Sequence, residues 1–283
     1  MKEFKMNPLQ PVVSVDWLFS NRNNPDLLIL DTSLKKTFVK TRQKNEGLLI
    51  PNTIFFDLEN VFSDLNSPLP HMMPTEETFT EEARKLGINN NSIIVVYDNV
   101  GIYSSPRVWW MFRAMGHRNV YVLNGGLPEW RKNGFDCVTS YSLPKNKGNF
   151  VAKSNPKLIS DKNDILKAIN DKNVLIIDVR SQERYLGEVS EPREGLRKGH
   201  IPNAVNIPFE KILNKNKLLE KDALENVFEK VTTKDRRIIF SCGSGVTACI
   251  NALGATVAGY PDISVYDGSW SEWGIPSELP ITE

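Results

Sequence analysis

A cysteine that closes an apolar run and opens a glycine-bearing loop has the clearest chemical potential in this chain. Arg237-Ile-Ile-Phe-Ser241 has the short apolar pattern of a buried strand, and it delivers Cys242-Gly-Ser-Gly-Val-Thr-Ala248. Gly243 and Gly245 let successive backbone N–H groups turn inward, and a helix starting within the loop would add the positive end of its dipole. Such a cup suits an anion. A thiol at its base is expected to be held as thiolate, a nucleophile at neutral pH. Free cysteines also serve as small packing residues, but a strand end beside two glycines favours catalysis. Cys249, expected on the following helix, and Cys137, after a Trp-bearing segment, lack that setting and read as packing residues.

The elements that must hold this loop occur twice. Leu27-Leu-Ile-Leu-Asp31 and Val174-Leu-Ile-Ile-Asp178 are short apolar runs ending in an acid. Ile50-Pro-Asn-Thr-Ile-Phe-Phe56 and Ile201-Pro-Asn-Ala-Val-Asn-Ile207 are turns that feed another strand. Ile93-Ile-Val-Val-Tyr97 matches the strand before Cys242, and each half ends on a strand, a glycine turn and a Trp-bearing segment, reaching Trp130 and Trp273. A repeated strand, loop and helix order predicts α/β units around a parallel sheet, with ligands outside the carboxyl ends of the strands. The first half's equivalent loop begins with Asp98 in place of cysteine, so one half reads as catalytic and its twin as a supporting wall. Tyr103 and Arg107, on that twin loop, are candidates to touch substrate. Trp109, Trp110, Trp130, Trp270 and Trp273 read as core.

At 283 residues the chain has room for two domains. The Pro-, Lys-, Asn- and Ser-rich stretch 141–158 reads as a linker, giving an N-terminal domain over 1–140 and a catalytic domain over 159–283. Thirty-five Lys plus Arg against 34 Asp plus Glu leave a net charge of +1, so no global field favours nucleic acid or an anionic membrane, and any anion site is local. Met1 to Leu18 lacks the apolar run of a signal peptide, and no stretch approaches a membrane span, which points to the cytoplasm. Three cysteines and three histidines, His71, His117 and His200, form no metal-ligand pattern, so no metal and no cofactor are expected. His117 is placed to cap a helix end, and His200 to hold a proline turn.

The duplicated pattern and the Cys242 loop together resemble the tandem-domain rhodanese superfamily. The likeness extends through Ser105-Pro-Arg-Val-Trp-Trp-Met-Phe-Arg113, Glu191-Pro-Arg193, Gly199-His-Ile-Pro202 and Tyr266-Asp-Gly-Ser-Trp270, and so over nearly the whole chain. It implies two tandem rhodanese-like domains, each a mostly parallel sheet flanked by helices. Within the superfamily, Cys-Gly-Ser-Gly-Val-Thr-Ala is similar to the loop of bacterial 3-mercaptopyruvate sulfurtransferases. Thiosulfate sulfurtransferases usually carry Cys-Arg-Lys-Gly-Val-Thr-Ala, whose cations suit a dianionic donor.

The resemblance implies that sulfur passes from 3-mercaptopyruvate through a Cys242 persulfide to a thiol acceptor such as thioredoxin or a small thiol, or to cyanide, with release of pyruvate. It assigns Arg184 and Arg193 to the donor's carboxylate and carbonyl, and Gly243, Gly245, Val246 and Thr247 to the cup. Ser244 and His71 would cooperate near the sulfur with an acid. The family's acid comes from an Asp-x-Asp pair that here reads Asp57-Leu-Glu59, which makes Glu59 the matching residue and leaves open whether a glutamate orients the imidazole. The rivals are a thiosulfate donor and a non-enzymatic sulfur-carrier or regulatory module. A phosphatase on the same scaffold needs an arginine closing Cys-x5-Arg, where this chain has Ala248.

Overall fold

The structure is a computed structural model that describes residues 10–35 and 47–282; the reading of the leader over residues 1–9 lies outside them. In the first half, strands β1 (Val12–Val13), β2 (Leu27–Asp31), β3 (Thr53–Phe55), β4 (Ile93–Tyr97) and β5 (Val120–Leu123) form a sheet in the order β1-β5-β4-β2-β3. Helices α1 (Val15–Asn21), α2 (Glu76–Lys85), α3 (Ser105–Ala114) and α4 (Gly126–Lys132) alternate with them. In the second half, β6 (Ile159–Ser160), β7 (Val174–Asp178), β8 (Val205–Asn206), β11 (Arg237–Ser241) and β12 (Ile263–Tyr266) take the order β6-β12-β11-β7-β8, the same arrangement strand for strand. Its helices are α5 (Lys162–Ala168), α6 (Gln182–Tyr185), α7 (Lys221–Phe228), α8 (Ala248–Val257) and α9 (Ser269–Trp273). An antiparallel hairpin, β9 (Leu213–Asn214) with β10 (Lys217–Leu218), is added to this half.

Every pairing within the two five-stranded sheets is parallel among the described residues. Parallel strands covered by helices on both faces need continuous apolar runs, and β4 and β11 supply them: Ile94, Val95, Val96, Ile238 and Phe240 are buried. The repeat also reaches the backbone. Asn52 and Asn203, in the two Ile-Pro-Asn triplets, have φ of 65° and 62°, a left-handed conformation that asparagine tolerates better than most residues. Helix ends follow local chemistry: Thr75 caps α2 by accepting the Thr78 N–H, and Asp161 with Asp164 forms a capping box on α5.

Helices α3 and α8, which follow the two equivalent loops, pack on each other across the halves. The stretch between the halves is fastened down as well. Phe150 is buried edge-on against Phe79, Phe112 and His117, and the Trp110 indole N–H donates to the Leu158 carbonyl. All five tryptophans assigned to the core are buried. Among the described residues no helix is long and apolar enough to cross a membrane, and no cluster of three His, Cys, Asp or Glu could hold a metal ion.

Candidate functional site

Cys242 follows the last residue of β11 and is buried at the base of its loop. Gly245, with φ of +74°, turns the loop where a Cβ would lie 2.8 Å from the Asp267 carbonyl oxygen, and Thr247 is the residue from which α8 departs. Val246 is buried. Gly243 lies beneath two guanidinium groups. A Cβ built there would stand 3.2 Å from Arg184 Nη2 and 3.9 Å from Arg193 Nη1, so both sequence-predicted arginines converge on the mouth of the cup.

The two arginines differ in their freedom. Arg184, on α6, is gripped by Glu191, with Nε at 3.1 Å from Oε1 and Nη2 at 2.5 Å from Oε2. Glu191 also accepts from Arg180, whose own grip on Asp178 and the Gly199 carbonyl is fully buried. Two carboxylates therefore balance Arg180 and Arg184. Among the described residues Arg193 has a single long hydrogen bond, 3.4 Å to Ser271 Oγ. Burial and then the Arg184 charge press its pKa down while Cys242 pulls it up, and an arginine stays protonated throughout. Arg193 is thus a cation at the cup with an open fork.

Ser244 and His71 meet as the resemblance implies: His71 Nδ1 lies 3.1 Å from Ser244 Oγ, across the seam between the halves. Burial first, then the charges of Arg107 and Arg193, lower the His71 pKa to about 4 against a pull upward from Asp267. The imidazole is neutral at pH 7. Glu59 sits half-buried in the turn after β3 and makes no hydrogen bond to His71 among the described residues. The Asp267 carboxylate in the second half is joined to His71 through Arg107, which donates both to Asp267 Oδ1 and to the His71 carbonyl.

Arg107 lies against the cup loop, its Nη1 3.4 Å from where a Cβ on Gly245 would stand. Fully buried, it donates from Nη2 to Asp267 Oδ1 at 2.7 Å and to the His71 carbonyl at 2.6 Å, while Asp267 Oδ2 accepts the Met73 N–H at 2.7 Å. Tyr103 is buried with its ring edge-on to Phe209. Cys249 lies on α8 with its thiol 3.2 Å from the Gly245 carbonyl, and burial pushes its pKa up to about 12, which suits packing. His117 caps the end of α3 with its backbone N–H, which donates to the Phe112 carbonyl at 2.8 Å, while its ring contacts the Ser92 carbonyl through Nε2 beside β4. His200 holds its turn through the Tyr185 carbonyl and stacks on the Tyr185 ring. Sequence reasoning missed Asp267 and Glu191 as site residues. The alignment of Asn124 with Asp267 at the two strand ends was the available signal for the first.

The model of the rhodanese-like domain matches twice, over residues 14–133 and 161–275. The chain belongs to the rhodanese family. A curated relative, thiosulfate/3-mercaptopyruvate sulfurtransferase 1, mitochondrial, of Arabidopsis thaliana, is 41% identical over 96% of this chain and 78% of its own length. The 3-mercaptopyruvate sulfurtransferase of Escherichia coli K12 is 38% identical over 95% and 96%. Among solved structures, the crystal structure of an E. coli 3-mercaptopyruvate sulfotransferase superposes with a TM-score of 0.82 at 36% identity, covering 93% of this chain and all of that one. The two matched ranges begin just after β1 and β6 and take in the other four strands of each sheet, and the Cys242 cup lies in the second.

Proposed function

We propose that this chain transfers sulfur from 3-mercaptopyruvate through a persulfide on Cys242 to a thiol acceptor, releasing pyruvate. The observation that carries the reading is the convergence of Arg184 and Arg193 over Gly243, directly at the cup whose base is Cys242. A small 2-oxo acid needs one site for its carboxylate and one for its carbonyl. Arg193, with an open planar fork, suits the carboxylate, and Arg184, pinned by Glu191, offers its remaining N–H groups to the carbonyl oxygen.

The thiolate of Cys242 attacks the donor's sulfur. As the S–S bond forms the C–S bond breaks, and its electron pair moves into an enolate whose oxygen faces Arg184. A proton delivered to the enolate carbon through Ser244 and His71 completes pyruvate, a role open to an imidazole that is neutral at pH 7 and in hydrogen-bond contact with the hydroxyl. The backbone groups of Gly243 to Thr247 then hold the persulfide until a thiol, such as a thioredoxin or a small thiol, takes its outer sulfur. Asp267, through Arg107, replaces Glu59 as the acid joined to His71 in this scheme. The division into a domain over 1–140, a connection over 141–158 and a catalytic domain over 159–283 belongs to the same reading, as does a cytoplasmic setting.

Steady-state turnover with 3-mercaptopyruvate and with thiosulfate, measured side by side on the wild type and Cys242→Ser, tests the proposal. A much higher kcat/KM for 3-mercaptopyruvate and loss of turnover in the variant are expected. A preference for thiosulfate would overturn the donor, and turnover surviving in Cys242→Ser would overturn the nucleophile.

A further inference from the structure

Ser269 is one of five non-glycine residues at positive φ among the described residues, with φ of 48°, and it is completely buried. A serine in that region is strained by its Cβ, and such outliers persist where surrounding structure holds them for a reason. The molecule contains its own comparison. At the equivalent point of the first half, the start of α4, stands Gly126 with φ of 52°. The surroundings match as well: the Leu127 N–H donates to the Asp98 carbonyl at 3.1 Å, and the Trp270 N–H donates to the Cys242 carbonyl at 3.0 Å. Although the residue before it differs, Gly125 having φ of 88° and Gly268 φ of −65°, the left-handed turn at this one position is built twice, on glycine beside the Asp98 loop and on serine beside the thiol.

The hydroxyl accounts for the difference. Ser269 Oγ accepts the N–H of Cys242 at 3.1 Å, donates to the Tyr266 carbonyl at 2.7 Å and lies 4.0 Å from Cys242 Sγ. With its one proton committed to Tyr266, the oxygen presents a lone pair to the nucleophile's amide and ties the end of β11 to the end of β12. We propose that Ser269 is a positioning residue of the sulfur-transfer step, which fixes the backbone of Cys242 and so the line along which its sulfur meets the donor. The proposal rests on Cys242 being the nucleophile. Because Ser269 touches the thiol's own residue and none of the donor-binding arginines, its removal acts on the reaction after the donor is bound.

The test compares Ser269→Gly, which relieves the strain and removes the hydroxyl, with Ser269→Ala, which removes the hydroxyl and keeps the Cβ. Thermal midpoints, steady-state kcat and KM for 3-mercaptopyruvate, and single-turnover formation of the Cys242 persulfide followed by mass spectrometry are measured on both. Persulfide formation at saturating donor is expected to slow roughly tenfold in both variants while KM stays within about twofold, the split that separates aim from binding. Ser269→Gly is expected to melt no lower than Ser269→Ala. Wild-type persulfide formation in a folded Ser269→Gly protein would reduce Ser269 to a turn residue, and a Ser269→Gly protein less stable than Ser269→Ala would overturn the argument from strain. Persulfide appearing at a residue other than Cys242 in the wild type would remove the parent reading and this proposal with it, an outcome that needs neither variant.

Discussion

At the scale of single residues, the state of His71 ties the fold to the reaction. Its ordinary pKa of 6.5 applies in the unfolded chain, whereas burial and two guanidinium charges hold it near 4 in the folded protein. Between those values the unfolded chain takes up a proton that the folded protein refuses, so stability falls as pH drops from about 6.5 toward 4 and the loss levels off below. The shift sets an upper limit of about 3 kcal/mol for that loss. His71→Asn is the informative substitution, because His71 has φ of 61° and asparagine tolerates that conformation. Urea midpoints measured from pH 7 to pH 4 are expected to fall less steeply in His71→Asn than in the wild type, and equal slopes would refute the assignment. The same variant is expected to lower kcat at pH 7 if the imidazole moves the proton. Cys242, Ser244 and the two arginines were legible in the sequence because each sits in a local motif. The Arg107 bridge between Asp267 and the His71 carbonyl was not, because it joins residues from both halves and no local spacing encodes it.

At the scale of elements, the two loops show what a cup does when empty of cysteine. Asp98 stands at the end of β4 where Cys242 stands at the end of β11, and its carboxylate fills its own loop. It accepts the N–H groups of Val100, Gly101, Tyr103, Ser104 and Ser105 at 2.8–3.1 Å and the Ser105 hydroxyl at 2.7 Å. The fold of this loop creates an anion site, and the first half satisfies it internally. That this loop carries an acid in place of cysteine was legible in the sequence; the self-filling was not, because it depends on where five amide groups point. Asp98→Asn keeps the shape but sets an NH2 group against converging donors, and is expected to cost about 3 kcal/mol in stability, read as a lower urea midpoint. An unchanged midpoint would mean that the donors are satisfied without the charge. The hairpin of β9 and β10 was missed altogether. It covers the silent loop, with Asn216 donating to the Gly125 carbonyl and the Leu218 N–H to Asn124 Oδ1, as Met73 donates to Asp267 over the active one.

At the scale of the whole molecule, that reciprocity shows why a half without a nucleophile is kept. Each half lays a segment over the other's loop: the hairpin brings Lys217 to Glu129 beside the Asp98 loop, and the first half brings Arg107 to Asp267 beside the Cys242 loop. Asp267 stands at the strand end where the first half has Asn124, and with Arg107 of α3 it forms a buried ion pair at the active cup. Arg107 reaches from the silent half to hold Asp267 and the His71 carbonyl together, which makes the position of the imidazole a property of both halves at once. Breaking a buried pair by removing one partner typically costs 3–5 kcal/mol because the other charge is left unpaired. Arg107→Gln is therefore expected to lower stability by about 3 kcal/mol and to lower kcat through His71, with Cys242 still open to alkylation. Adding Asp267→Asn removes the stranded charge and gives this half the residue that its twin already carries. The double variant is expected to recover a large part of the stability but not the turnover, since the neutral pair no longer anchors His71. Strictly additive losses in urea midpoint would show that Arg107 and Asp267 act separately. Recovery of turnover along with stability would show that the pair serves the fold alone.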